Sequence, residues 1–387
     1  MKESSLPAKI SKQIAEAPTL GWYKADDGVK HAVKCISFQQ YMNACLYDEK
    51  DGYYRSGPVR IGKEGDFYTS SGVGRVLAEI LARYIHSCGL MTDKPLQLIE
   101  WGAGTGRLSA QIAAAGKELS PDWEERFPSV QIEDHPLHAD AARGALSMAA
   151  GIEERHFKII TSEQAWEKGV HRQPGIVLAN ELLDAFPVHR VQQVEGELVE
   201  LGVAGNAELG FYEVYMPLSD HRFNEWLERD GIQLKDGQRT EIHAAAADFL
   251  KRLGAEMTCG RLILIDYGHE AAEYAAEHRM NGTLMCYWRH QASDTPFERI
   301  GEQDITSHVP FTFVRHAAEE AGWELVSYTT QKQFLMDNGV FDLLQNDSGK
   351  DPFSETAKMN RAVRQLLLSD QMSESFKVMI LDIKAQH

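Results

Sequence analysis

Glu100 stands two residues ahead of Gly102, Gly104 and Gly106 in the stretch Leu96–Gly106, LQLIEWGAGTG. Three glycines at alternate positions let the backbone turn tightly against a ligand where any Cβ would collide. Leu96, Leu98 and Ile99 read as a buried parallel strand, and the following RLSAQIAAAG has the Leu/Ile/Ala spacing of a helix. The loop therefore joins a strand to a helix N-terminus, where unpaired backbone N–H groups collect. Two nucleotide fingerprints compete there. One is G-x-G-x-x-G, which seats a pyrophosphate; the other is the tighter G-x-G-x-G with an acid at the strand end. This chain has the second. Glu100 would repel a pyrophosphate but suits the amino group of a methionine moiety, so the implied ligand is S-adenosylmethionine (SAM). No Gly-Lys-Ser/Thr follows, which removes the Walker A reading.

In a βαβ unit the next strand should end in a carboxylate that holds a ribose, and SVQIED supplies Glu133 and Asp134. Either could be the ribose ligand. Glu133 is favoured, since HPLHADAARGAL then starts a helix with Pro136 near its first turn. A second motif, ANELLDAFP, follows the fourth expected strand at Ala179–Pro187. Asn180 can present a carbonyl and an amide to the cofactor. Glu181 and Asp184, three apart on a helical turn, would face the same way as a two-carboxylate catalytic site. Such a pair suits a guanidinium, which offers five donors in a planar fork. Methyl transfer to a guanidinium needs its nitrogen aligned with the sulfonium methyl and its remaining N–H groups held.

Other chemistry-bearing residues sit in loops. RIGKEGDFYTSSGVG, between two N-terminal helices, has the composition of a ligand-contacting cap, with Tyr68, Thr69 and Ser70 as candidate cofactor contacts. IDYGH, GTLMCYWRH and EQDITSHVPF bring His290, Asp304, Thr306 and His308 toward the same rim. No pair among them has zinc-motif spacing, so no metal is expected. The simpler roles are Asp304 capping a loop, His290 orienting a neighbour and Tyr287 with Trp288 forming an apolar wall. No G-x-S-x-G elbow supports hydrolysis.

These residues need a doubly wound sheet to position them. From Pro95 onward strands alternate with helices: LQLIEW, SVQIED, FKIIT, GIVLAN, RLILIDYG, ELVSYT and FKVMILDI give seven strands, the last read as an antiparallel edge strand beside its predecessor. HPLHADAARGALSMAAG, TEIHAAAADFLKRLGAEM and HVPFTFVRHAAEEAG read as helices, the last two closed by glycine. The segment Pro187–Leu218 alternates polar and apolar residues with glycines between. It reads as an antiparallel insertion of two or three strands, at about 187–218, beside the ligand crevice. The expected organisation is a mainly helical cap over 1–94 and a Rossmann-like α/β domain with a mostly parallel sheet over 95–387.

The 387 residues carry a formal charge of −17 and no Lys/Arg-rich block, which argues against a nucleic acid partner and is compatible with a cationic one. No run approaches the length of a membrane span, and the N-terminus lacks the apolar centre of a secretory signal. Cys35, Cys45, Cys88, Cys259 and Cys286 are odd in number and contain no C-x-x-C pair. Reduced thiols in a cytoplasmic protein are expected.

GDFYTSS, IEWGAGTGRL, IEDHP, ANELLDAFP, LILIDYGH, GTLMCYWRH and DITSHVPF together, in this order, resemble the MidA family of SAM-dependent methyltransferases over about Phe38–Gly322. The resemblance implies a class I methyltransferase fold and protein methylation. For the mitochondrial members, which are respiratory complex I assembly factors, it implies arginine of a partner subunit as acceptor. It assigns Gly102, Gly104 and Gly106 to the cofactor loop, Glu133 to the acidic position after the second strand, and Asn180, Glu181 and Asp184 to the NE-x-x-DA-x-P motif. Two positions depart from the family pattern: Ala103 replaces the usual proline of the glycine loop, and His135 replaces a serine before Pro136. The expected partner is a protein substrate, with a respiratory complex subunit as one candidate, and a homodimer is compatible with the chain. The competing function is a SAM-binding assembly protein with little turnover; an NAD-dependent oxidoreductase ranks below both because of Glu100 and the short glycine spacing.

Overall fold

The computed structural model describes residues 5–25, 28–58, 71–149, 151–345, 351, 353–368 and 374–384. Two compact units are present, each assembled from three segments: Met1–Pro58, Leu183–Phe249 and Gly268–Ala317 in one, Val59–Leu182, Leu250–Tyr267 and Ala318–His387 in the other.

The second unit is built on the expected seven strands: β1 (Gln97–Trp101), β2 (Ser129–Ile132), β3 (Phe157–Ile160), β4 (Gly175–Asn180), β5 (Gly260–His269), β6 (Glu324–Thr330) and β7 (Phe376–Ile383). Their spatial order is β3-β2-β1-β4-β5-β7-β6, with β7 antiparallel to both neighbours and the pairs from β3 to β5 parallel. This is the class I methyltransferase fold. Runs such as Leu262–Ile265 and Val378–Leu381 are buried because helices cover both sheet faces, as parallel sheets require. The apolar cluster joins Ile80, Leu81 and Ile85 of the helix Ser71–Gly89, Ile112 of Arg107–Leu119, Ile176 and Leu178 of β4, and Ile263 of β5.

One expectation is corrected here. FKVMILDI is antiparallel and adjoins its predecessor, but it is no edge strand: it is hydrogen-bonded to β5 on one side and β6 on the other. The edge belongs to β6, whose Leu325 and Val326 are exposed.

The first unit carries an antiparallel sheet. His189–Val194, Glu197–Asn206 and Gly210–Met216 form the three-stranded form of the expected insertion. It continues through Leu20–Lys24 and Lys30–Lys34 on one side and Arg239–Ile242 on the other. The mainly helical reading of 1–94 did not anticipate those two N-terminal strands. Their mostly exposed residues, LGWYK and KHAVK, show no apolar alternation and become strands through pairing, as in Trp22 with Tyr215. The helix Phe38–Tyr47 has its start fixed by a reciprocal capping box between Ser37 and Gln40.

Two helices are shorter than their sequence pattern. Arg239–Ile242 is a strand, and the helix begins at Ala244; Gly254 lies inside that helix, where a Cβ would meet Ala321 O and Trp323 Nε1 at 2.9 Å, so it serves packing and not termination. Val309–Pro310 pairs in parallel with Gly268–His269, and the helix runs only from Phe311 to Glu320. Among the described residues no helix is long and apolar enough to cross a membrane.

Candidate active site

The order of the sheet reverses between β1 and β4, and open α/β sheets bind ligands at the carboxyl ends of the strands flanking such a reversal. The glycine loop follows β1. Gly102, Gly104 and Gly106 have φ of 68°, 54° and 68°, the left-handed region that side chains disfavour. A Cβ on Gly106 would lie 2.7 Å from Ala142 Cα, so this glycine lets the helix Pro136–Gly144 approach the loop. A Cβ on Gly102 would lie 3.0 Å from Leu182 Cδ1.

Glu133 follows β2 and reaches back to the loop. Its Oε2 accepts the Gly104 N–H at 2.7 Å and its Oε1 accepts the His135 N–H at 2.8 Å. Asp134 points elsewhere, accepting the N–H and the hydroxyl of Ser162 at 2.8 Å each. Of the two carboxylates that the sequence offers, Glu133 is the one that faces the glycine loop.

Glu100 is 4 % exposed and hydrogen-bonded to Ser109 Oγ in the helix after the loop; Gln131 Nε2 donates to the same hydroxyl at 3.2 Å. Burial lifts its carboxyl to about 7, opposed by the Ser109 hydroxyl and reinforced by the negative Glu133. Glu100 thus braces the strand, the loop and the helix from behind. Ser109 and Gln131 escaped the sequence reading because nothing about a lone serine in an Ala-rich helix marks it.

Beyond β4 the chain turns sharply at Asn180–Glu181–Leu182. Glu181 is exposed and has φ of +50°, unusual for a residue with a side chain. Two bonds fix the turn: the Glu181 N–H donates to Ile265 O at 2.8 Å, and the Leu182 N–H donates to Asp266 Oδ2 at 3.2 Å. Asp266, 1 % exposed in the second half of β5, also accepts the Tyr267 N–H at 2.9 Å. Asn180 Nδ2 lies 3.4 Å from Glu181 Oε1. The premise that Glu181 and Asp184 share a helical turn is corrected: the turn is a short 3-10 segment, Leu183–Ala185, and Glu181 precedes it in a left-handed conformation.

Within the antiparallel unit, Asp184 is 4 % exposed, and its carbonyl accepts the Ser307 N–H at 3.0 Å. Ser307 Oγ lies 3.2 Å from His243 Nε2, an imidazole that burial pushes down to about 3. Asp304 begins the strand Asp304–Thr306, and its Oδ1 accepts the Tyr54 hydroxyl at 2.7 Å and the Ile305 N–H at 2.9 Å, the first a contact that sequence spacing of 250 residues had hidden. Burial and then Asp304 and Asp184 raise the Tyr54 and Tyr287 phenols. The remaining rim residues disperse: His290 is exposed, Thr306 Oγ1 donates to Met285 O at 3.5 Å, and the His308 N–H donates to Thr283 Oγ1 at 3.1 Å. Tyr68, Thr69 and Ser70 lie outside the described residues.

The family model described as "Putative S-adenosyl-L-methionine-dependent methyltransferase" matches residues 76–329, about two thirds of the chain. The chain belongs to this family, the MidA methyltransferases. A MidA-family likeness is visible in three dimensions as well. A Burkholderia thailandensis structure, described as a COG1565 superfamily member bound to S-adenosyl-homocysteine, is 30 % identical, covers 99 % of this chain and 92 % of its own, and superposes with a TM-score of 0.82. Curated relatives are more distant. A Danio rerio protein named "Protein arginine methyltransferase NDUFAF7, mitochondrial" is 25 % identical over 366 residues, covering 88 % of this chain and 82 % of its own. Its Drosophila melanogaster homolog is 24 % identical over 303 residues, covering 74 % and 67 %.

SAM is therefore the cofactor of this MidA protein, and the residues present fit it. Three glycines in left-handed conformation make a cradle that side chains would fill, and a carboxylate faces that cradle from the end of β2. SAM, when bound, supplies an electrophilic methyl group on a sulfonium, and the protein is a SAM-dependent methyltransferase.

Proposed function

We propose that this methyltransferase acts on an arginine side chain of a protein, with Glu133 holding the cofactor ribose, the glycine loop passing beside it, and Glu181 receiving the acceptor guanidinium. The observation that carries the reading is Glu181: an exposed carboxylate in strained backbone, locked at the carboxyl end of β4 beside the sheet reversal by Ile265 and Asp266. Backbone strain held by surrounding bonds is typical of groups that must be presented in one orientation. A carboxylate there can accept two N–H bonds from a guanidinium, draw positive charge away from the third nitrogen and leave that nitrogen's lone pair for attack. The new N–C bond forms as the S–C bond breaks, and the nitrogen then gives its proton to solvent or to a carboxylate. No strong base is required.

The names of the curated relatives support arginine as the acceptor, and the net charge of −17 favours a basic segment around it. A respiratory complex subunit, the acceptor class implied by the family resemblance, is the first to test. Glu181→Ala should abolish most methyl transfer while SAM affinity by calorimetry stays within about threefold of wild type; equal loss of both would show that Glu181 serves the cofactor instead.

A further inference from the structure

The departure at His135 leads to a feature of the cofactor site that no motif marks. We propose that His138 is a positioning residue that holds Glu133 for the ribose hydroxyls; the inference rests on Glu133 being the ribose ligand. His138 lies in the first turns of the helix Pro136–Gly144 and, as helical side chains do, leans back toward the helix N-terminus, where Glu133 stands. Its Nδ1 is 3.7 Å from Glu133 Oε1, with side chains 7 % and 10 % exposed. At that separation, away from water, charge–dipole attraction is weakly screened.

The imidazole is held in register by its neighbour. His135 and His138 stack with ring centroids 4.2 Å apart and planes inclined by 18°. The His135 ring is itself fixed, since its Nδ1 accepts the Leu137 N–H at 3.2 Å. A small residue in place of His135 would remove that platform. The two nitrogens of His138 are unlike: Nδ1 faces the carboxylate, while Nε2 is buried and has no hydrogen-bond partner among the described residues. In the neutral ring the proton belongs on Nδ1, because a proton on Nε2 would be a buried donor without an acceptor. Glu133 is then held from three directions: Gly104 N–H on Oε2, His135 N–H and the His138 ring on Oε1. The first two come from the backbone and do not depend on which side chain stands at position 138. Among the described residues, His138 does this through a side chain.

The test is calorimetric binding of S-adenosyl-homocysteine and its 2′,3′-dideoxyribose analogue to the full chain, using wild type, Glu133→Ala, His138→Asn and His138→Gln. The amide nitrogen of asparagine falls near the Nδ1 position, whereas that of glutamine reaches toward Nε2. His138→Asn should stay within about threefold of wild type and His138→Gln should bind the ribose ligand roughly tenfold more weakly. For the dideoxy analogue the two variants should bind alike. A glutamine deficit that persists without the hydroxyls, or equal deficits in both variants, would overturn the inference and mark His138 as a packing residue. Wild type that binds neither ligand, or Glu133→Ala that binds both normally, would instead overturn the cofactor reading beneath it. Histidine 15N shifts of wild type give a check independent of any variant: His138 should be the Nδ1–H tautomer, and the Nε2–H tautomer would contradict the assignment.

Discussion

Gly104 donates its backbone N–H to Glu133 Oε2 across 2.7 Å, which fastens the loop after β1 to the carboxylate after β2. A single side chain thereby sets both the shape of the glycine cradle and the place where ribose hydroxyls would be received. Removing it should disturb both.

Glu133→Ala is expected to weaken SAM binding by about tenfold to a hundredfold, the loss of one or two hydrogen bonds to a charged acceptor. Calorimetry reads this directly. Glu133→Gln, which keeps an acceptor oxygen but no charge, should fall between the two.

Gly106→Ala should lower stability by about 2–4 kcal/mol. The backbone is at φ +68°, and the added methyl would meet Ala142 Cα and Cβ at 2.7 Å across a helix contact with little room to yield. Urea unfolding with an unchanged slope and a lowered midpoint would register it.

Asp266→Ala removes the acceptor of both the Leu182 and Tyr267 N–H groups, and should cost about 1–3 kcal/mol while letting Glu181 leave its left-handed conformation. The kinetic signature is a fall in kcat with SAM affinity retained. Asp266→Asn, with one oxygen left, should recover part of it.

Glu100 makes stability depend on pH in a definite sense. Its folded carboxyl titrates at about 7 against an ordinary value of 4.5, so the folded state holds the proton more tightly. Its contribution to stability is fully present below about pH 4.5 and is lost as pH rises through 7, a change of order 3 kcal/mol. The difference in unfolding free energy between Glu100→Gln and wild type, measured from pH 5 to 8, should move in favour of the variant across that window. A flat difference would mean that Glu100 is charged throughout.

Much of this arrangement is legible in the sequence because it is local. The strand, the three glycines and the helix after them lie within one short stretch, and each chain segment declares its period. ANELLDAFP was readable as a site, yet its geometry was not: a helical spacing argument placed Glu181 and Asp184 on one turn, whereas Ile265 and Asp266, some 84 residues onward, pull Glu181 into the left-handed region. Tyr54 with Asp304, and Ser109 with Glu100, are long-range or side-chain relations with no periodic signature. The strand Leu20–Lys24 exists by pairing to residues near 215 and Lys30–Lys34 by pairing to Leu20–Lys24, and neither carries apolar alternation of its own.

The central claim is transfer of a methyl group to arginine, and amino-acid analysis of labelled protein tests it most directly. The purified chain, SAM labelled in its methyl group, and an extract from cells lacking this protein would be incubated together, and the acid hydrolysate of the proteins resolved. The account predicts label in methylated arginine, lost with Glu181→Ala and sharply reduced with Glu133→Ala. Label in another amino acid or only in small molecules, or methylarginine that persists undiminished in both variants, would contradict it.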